Sequence, residues 1–391
     1  MKSLQLRLNE FFGKLQAKFL TASASAFTQA RSKLYYTAFI ELNQKAIVEP
    51  VYSEEYKTYL DFRLLAVDGS QVILPNEENI VNHFGSIKIR NQIEDVQSQY
   101  PVSKVSVLYD VLNKIGIDAI MGHSKAYEVD LAIEHLDAIE QNNLRRENDL
   151  LIFDRGYPSY VLLATLIKRR YHFVARCSRG SFKAAQLMFG SRVTSQIVTL
   201  KPPSNQKSKV RDLELPEEIQ IRLVRVVLNS GEIEVLATSL LDKTQCPSRI
   251  FKEIYNLRWG IEGFYDILKN RLNLENFSGR TADSVKQDFF STILITGLES
   301  ILTEDAQEIL DSRSSCNQNP QNVNKAVSFN TIKNHVIQLL HEENDLDILL
   351  DKLTKLFLTK TISVQNHDRP RIKKNPLQIL NFYKRKKKIV F

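Results

Sequence analysis

At 391 residues and 43% hydrophobic content, the chain exceeds a typical single domain and has apolar material for a sizeable core. Cys177, Cys246 and Cys316 are odd in number and widely spaced, which argues against a disulfide framework and for a reducing, cytoplasmic compartment. No run approaches the ~18 apolar residues of a membrane span and no secretory signal core is visible, so no membrane partner is expected.

Residues 3–42 read as two helices, the first with Leu4, Leu8, Phe11, Phe12 and Leu15 at helical spacing and the second starting near Ser25. Residues 60–122 read as three strands, around FRLLAV, QVILP and KVSVLYDVL with IDAIMG, before a helix near Lys125 to Asn142. A strand at Leu150 to Phe153, a helix from about Pro158 to Arg170 and a strand YHFVARC follow. Three strands, helix, strand, helix, strand is the order of a ribonuclease H-like α/β fold: a mixed sheet flanked by helices, its opening strands antiparallel. Next come a loop PPSNQKSK, the alternating IQIRLVRVVL, a turn at Asn229, Ser230 and Gly231, and IEVLATSLL, which together predict a β-hairpin. Beyond residue 281 the chain is helical again, broken by the polar loop SRSSCNQNPQNVNK and closed by a short helix pair. Residues 366–391 hold nine Lys or Arg against the single acid Asp368, a surplus equal to the whole net charge of +8. Such a tail is either a solvated terminus or a segment that attracts nucleic acid by counterion release.

The stretch IYNLRWGIEGFYDILKNRL carries the most specific pattern. At about 100° per residue, Tyr255, Arg258, Glu262 and Lys269 share one helical face. Ile254, Leu257, Ile261, Phe264 and Leu268 lie opposite, as in a helix docked on a core. Arg, Lys and Tyr suit phosphates and the lone Glu suits a metal ion; the plainer alternative is a solvated Arg258/Glu262 pair. Two apolar runs also end in carboxylates, Asp68 in FRLLAVDGSQVILP and Asp154 in NDLLIFDRGYPSYVLLATLIKRR. Each has the alternative of a turn or helix-cap aspartate.

Taken together, these segments resemble the DDE transposases of the insertion sequence 4 type. That family's signature is Tyr, two residues, Arg, three residues, Glu, six residues, Lys, and Tyr255, Arg258, Glu262 and Lys269 fill it without a gap. SASAFTQARSKL, KVSVLYDVLNKIGIDAI, the DRGY from Asp154 to Tyr157 and LNLENFSGRTADSVKQDFF also look like family blocks, so the resemblance runs to about residue 300.

The resemblance implies metal-dependent cleavage of DNA at element ends and strand transfer into target DNA. Its catalytic and metal-binding residues would be Asp68, Asp154 and Glu262, with Asp68 bridging two Mg2+ ions, for which Mn2+ substitutes. The residue types suit the chemistry, because two divalent ions about 3.5–4 Å apart can activate the attacking oxygen and stabilise the leaving one, and carboxylates are the hard ligands they need. Arg258 and Lys269 would neutralise phosphates and Tyr255 would hydrogen-bond or stack on one. Trp259, the single Trp, would stack on an unpaired base or pack against a sheet edge. Arg155 would approach DNA; Tyr157 would do so or join the core. The seven His residues form no ligand-spaced cluster, and His123 and His135 read as incidental.

The expected partners are double-stranded DNA, as inverted-repeat ends and as target, and a second copy of the chain in a synaptic dimer, in the cytoplasm at the nucleoid. The implied organisation is a helical region over 1–58, a catalytic domain over 59–177 and 246–305, a β-rich insertion over 178–245 between the second Asp and the Glu, and a helical C-terminal region with the basic tail over 306–391. For the insertion, an ordinary extension of the central sheet is the alternative. The family usually carries a longer helical region ahead of the SASAFTQARSKL block, so impaired recognition of element ends is expected. A repurposed, DNA-binding regulator without productive catalysis stays open, as does a nuclease on the same fold.

Overall fold

The computed structural model describes residues 3–14, 21–90, 97–314, 320–341 and 346–363. Cys316 and the basic segment 366–391 lie outside the described residues.

The chain enters through α1 (Leu4–Lys14), α2 (Ala24–Arg31), α3 (Thr37–Asn43), a π-helical turn Gln44–Val48 and α4 (Glu49–Ser53). The Ser23 hydroxyl caps α2 by accepting from the Ala26 N–H, which explains the helix start close to that read near Ser25. Strand β1 (Arg63–Ile73) follows, then α5 (Glu78–Phe84), β2 (Ser86–Arg90), β3 (Gln97–Asp110) and β4 (Ile115–Gly122).

The two strands expected around FRLLAV and QVILP are one. β1 pairs antiparallel with β3 from Leu65↔Asp110 to Ile73↔Val102, straight through Asp68, Gly69 and Ser70. A continuous ladder on one side carries the polar triplet, so the turn reading of Asp68 is replaced by a mid-strand position. Leu64, Leu65, Ala66 and Val67 are all fully buried, as in a central strand covered on both faces.

After α6 (Glu128–Gln141), β5 (Asp149–Phe153) pairs in parallel with β1; α7 (Tyr160–Lys168) crosses over to β6 (His172–Cys177), parallel to β5. The sequence β4, β3, β1, β5, β6 across the sheet, with its opening strands antiparallel, is the ribonuclease H-like order expected. At the strand ends far from Asp68, the buried Arg63 and Asp149 form a two-pronged pair at 2.6 and 2.8 Å that fastens β1 to β5.

The next elements are α8 (Lys183–Gly190), β7 (Ser195–Leu200), α9 (Lys207–Asp212), β8 (Ile219–Val227) and β9 (Ile233–Thr238). β8 and β9 form the expected hairpin, with Gly231 at φ 82°, a left-handed turn position that glycine adopts without strain. β9 pairs antiparallel with β6, so residues 178–245 continue the central sheet as the series β9, β8, β7. The extension reading therefore holds for the placement of the hairpin: β6 would otherwise be an open sheet edge, and β9 covers it.

The signature segment is not one uninterrupted α-helix. It is divided into α10 (Ile250–Leu257) and α11 (Trp259–Asp266), joined at Arg258, and it ends in a π-helical turn Ile267–Arg271. The long α12 (Ala282–Ser314), α13 (Lys325–His341), α14 (Leu346–Thr359) and the short ribbon of β10 (Gln321–Val323) with β11 (Thr361–Ser363) complete the described chain.

Strand alternation divides the core in two. Leu65, Val67, Leu151 and Phe153 face α6 and α7, whereas Leu64, Ala66, Leu150 and Ile152 face α10, α11 and α12. His135 of α6 is fully buried, with Nε2 2.9 Å from the Ser106 hydroxyl and Nδ1 2.5 Å from Asp118, so it ties the helix to β3 and β4. Sequence spacing gave no sign of this structural position, because the partners of His135 come from two other elements.

Candidate active site

Parallel pairing of β1 and β5 runs from Arg63↔Asp149 to Val67↔Phe153. The residue after each end of this ladder is an aspartate, so Asp68, within β1, and Asp154, just past β5, stand next to each other where the pairing of these adjacent strands stops. Asp68 accepts from the Gly69 N–H at 2.9 Å, and its backbone carbonyl accepts from the Tyr265 hydroxyl of α11 at 2.8 Å. Burial pushes the Asp68 carboxyl up to about 6, with Asp154 and Glu262 adding to the rise and Gly69 and Arg258 opposing it.

Asp154 has the opposite balance. Although burial works against its charge, the Arg155 backbone N–H and the Tyr255 hydroxyl hold its carboxyl below the ordinary value. The Tyr255 hydroxyl donates to Asp154 Oδ1 at 2.8 Å, and burial keeps that phenol protonated by pushing its pKa up. Two neighbouring carboxylates are thus driven apart in proton affinity, the higher at Asp68 and the lower at Asp154.

At the junction of α10 and α11, where Arg258 keeps right-handed helical backbone angles, its guanidinium lies among the acids. Arg258 is 1% exposed, donates to Glu262 Oε1 at 2.6 Å and stands 4.0 Å from Asp68 Oδ2. Its carbon centre lies 5.5 Å from the Tyr255 ring and 5.2 Å from the Trp259 ring, both cation–π distances. Tyr255 is 3% exposed, so the polar face is covered at Tyr255 and Arg258, next to the two aspartates, and stays open at Glu262 and Trp259. Burial of Arg258 rules out a solvated pair on its side, whereas the Glu262 side chain is 41% exposed.

Lys269 occupies a different position from the other signature residues. Its ammonium donates to the Ser70 hydroxyl and the Gln71 carbonyl, each at 2.6 Å, so it fastens the π-helical turn to β1 just beyond Asp68. Burial lowers its pKa. Trp259 and Arg155 are exposed, whereas Tyr157 is buried at 1%.

Three further groups escaped the sequence reading. Arg176 of β6 lies 3.9 Å from Asp154 Oδ1 and 3.0 Å from Glu234 Oε1 of β9, and Tyr265 supports Asp68 as described. An arginine inside the apolar run YHFVARC was the available signal for Arg176; Glu234 becomes its partner only through the pairing of β9 with β6. Among the described residues, no three His, Cys, Asp or Glu side chains converge closely enough to hold one metal ion.

The model of the transposase DDE domain matches residues 60–298, from just before β1 into α12. The chain belongs to the transposase DDE domain family. That span includes both aspartates, Arg258, Glu262 and the sheet extension. No curated protein matches the chain. Among solved structures it is similar to the piggyBac transposase in a cryo-EM structure of its synaptic complex with hairpin DNA, at 12% identity and a TM-score of 0.41 over 81% of this chain. The match spans 61% of that longer chain.

Proposed function

We propose that this transposase DDE domain cleaves DNA at the ends of an insertion sequence and joins those ends to target DNA, with Asp68, Asp154 and Glu262 as the catalytic carboxylates. The observation that carries the proposal is the placement of Asp68 and Asp154 next to each other where the pairing of β1 with β5 stops, with Arg258 bridging from Asp68 towards Glu262. The spacing of Tyr255, Arg258, Glu262 and Lys269 supports the insertion sequence 4 type.

The donor types fit Mg2+, or Mn2+ in its place: three carboxylate groups are hard oxygen ligands that would have to close in on a cation from their present separation, and the high proton affinity of Asp68 marks a site where a cation would relieve crowded negative charge. When bound, two such ions would supply charge stabilisation at the scissile phosphate and an activated attacking oxygen. Tyr255 holds Asp154 ionised and oriented. Arg258 balances the acids and presents Glu262, whose side chain is 41% exposed. Arg155 and Trp259, at the exposed side, are the proposed DNA contacts, together with the basic segment 366–391. A homodimer holding two element ends at the nucleoid is the proposed assembly. No described helix is long and apolar enough to cross a membrane.

The test uses duplexes carrying the inverted repeats that flank the gene, and random duplexes. Wild-type protein is expected to nick the former in Mg2+ and not in EDTA, and Asp154→Ala to lose nicking by at least about a hundredfold. Equal activity of the two proteins would refute the assignment, and binding without cleavage by wild type would favour a DNA-binding regulator instead.

A further inference from the structure

Glu128, the first residue of α6, approaches the aspartates from the opposite face of the sheet to Arg258 and Glu262. Its side chain lies against both glycines that follow them. A Cβ added at Gly69 would stand 3.3 Å from Glu128 Cγ and 3.6 Å from Oε1, and one added at Gly156 would stand 3.2 Å from Oε2. One carboxylate oxygen is therefore directed to the residue after Asp68 and the other to the loop after Asp154. Lys104 of β3 is 3.4 Å from Oε1, a long pairing, and the Glu128 side chain is 38% exposed.

An independent observation points to a missing partner at this place. Tyr157 is 1% exposed and its hydroxyl has no hydrogen-bond partner among the described residues. The charged groups acting on that phenol are Asp68, Glu128 and Asp154. A buried hydroxyl without a partner amid three carboxylates calls for water or an ion that the protein does not itself provide.

We propose that Glu128 is a fourth acidic residue of this site: a divalent cation drawn to Asp68 and Asp154 would bring the Glu128 carboxylate in from its present position as a further ligand, and its hydration shell would give the Tyr157 hydroxyl the partner it lacks. The proposal rests on the reading of the two aspartates as cation ligands. It also accounts for glycine at positions 69 and 156, since a side chain at either would stand against the Glu128 carboxylate.

Mn2+ binding to the full chain, followed by the electron paramagnetic resonance signal of the free ion, tests this without any cleavage assay. Glu128→Gln is expected to weaken Mn2+ binding about tenfold. Lys104→Gln breaks the same ion pair from the other side and is expected to preserve or tighten binding. If Glu128→Gln proves unable to fold, Gly156→Ala, which displaces Oε2, is expected to weaken binding several-fold. Wild-type affinity in Glu128→Gln, or in Gly156→Ala where that variant replaces it, alongside loss in Asp68→Asn overturns the role of Glu128 and leaves the aspartates as ligands. Equal weakening in Glu128→Gln and Lys104→Gln overturns it in favour of a structural ion pair. Indifference of Mn2+ binding to Asp68→Asn refutes the underlying reading itself.

Discussion

At the residue scale, the polar groups of the site divide by what holds them. Asp68 is half-buried, flanked by two other acids and given one backbone donor, and its proton is correspondingly hard to remove. Its native pKa of about 6 lies above the ordinary 3.8, so the native state holds this proton more tightly than the unfolded chain does. The stabilisation is complete below the unfolded value and is lost as pH rises through the native one, leaving an ionised Asp68 that costs on the order of 3 kcal/mol. Asp68→Asn is therefore expected to raise Tm more at about pH 8 than at about pH 4.5; an equal gain at both would show that charge burial is not the cause. Lys269 has the opposite lesson. Its spacing in the sequence assigns it to phosphate, yet its ammonium is engaged by Ser70 and Gln71. Lys269→Met should lower Tm by several degrees while leaving the salt dependence of DNA binding unchanged, whereas loss of a true phosphate contact would reduce the slope of log K against log salt by about one.

At the element scale, the segment through Arg258 makes one wall of the site. The helical wheel correctly separates Ile254, Ile261, Phe264 and Leu268 from Tyr255, Arg258 and Glu262, and leaves open whether the polar side meets a ligand or solvent. The structure buries Tyr255 and Arg258 against β1 and β5, because a guanidinium and a phenol can satisfy the carboxylates of Asp68 and Asp154 there. Helix packing makes a separate demand at Gly297 of α12. A Cβ there would stand 2.6 Å from Ile47 Cγ2 in the π-helical turn Gln44–Val48, closer than side-chain atoms ordinarily approach. Gly297→Ala should cost about 1–3 kcal/mol in urea denaturation by pushing the N-terminal helices from α12. A neutral result would mean that Ile47 can turn aside freely.

At the scale of the whole molecule, the same acids that weaken the chain without cations should strengthen it with them. Ligands that bind only the folded state add RT ln(1 + [L]/Kd), about 2.7 kcal/mol at a hundred times Kd. Wild-type Tm is expected to rise in millimolar Mg2+ and return in EDTA, with no rise in a variant carrying Asp68→Asn and Asp154→Asn together. A shift retained in that variant would place the cations elsewhere. Such coupling of fold and site follows from the sheet: nine strands share one ladder system among the described residues, and the two aspartates stand at its central strands, flanked by helical layers on both faces.

Although it missed the single strand β1 and the elements α5, β2, α8, β7 and α9, the sequence by itself determined the run α6, β5, α7, β6 after the opening strands, the hairpin around Gly231, and the candidates Asp68, Asp154, Tyr255, Arg258 and Glu262. Each is a local signal, carried by apolar periodicity, turn chemistry or fixed spacing along one segment. Continuity of β1 through Asp68, Gly69 and Ser70 was not legible, since a polar triplet containing glycine has turn chemistry unless a neighbouring strand supplies the ladder. Nor were the engagement of Lys269 by β1, the covering of β6 by β9, or the approaches of Arg176 and Glu128 to the aspartates. These are pairings between residues far apart in the chain, whose energies depend on burial and on which backbone lies alongside. Only the tertiary structure decides such pairings, because no single segment contains both partners.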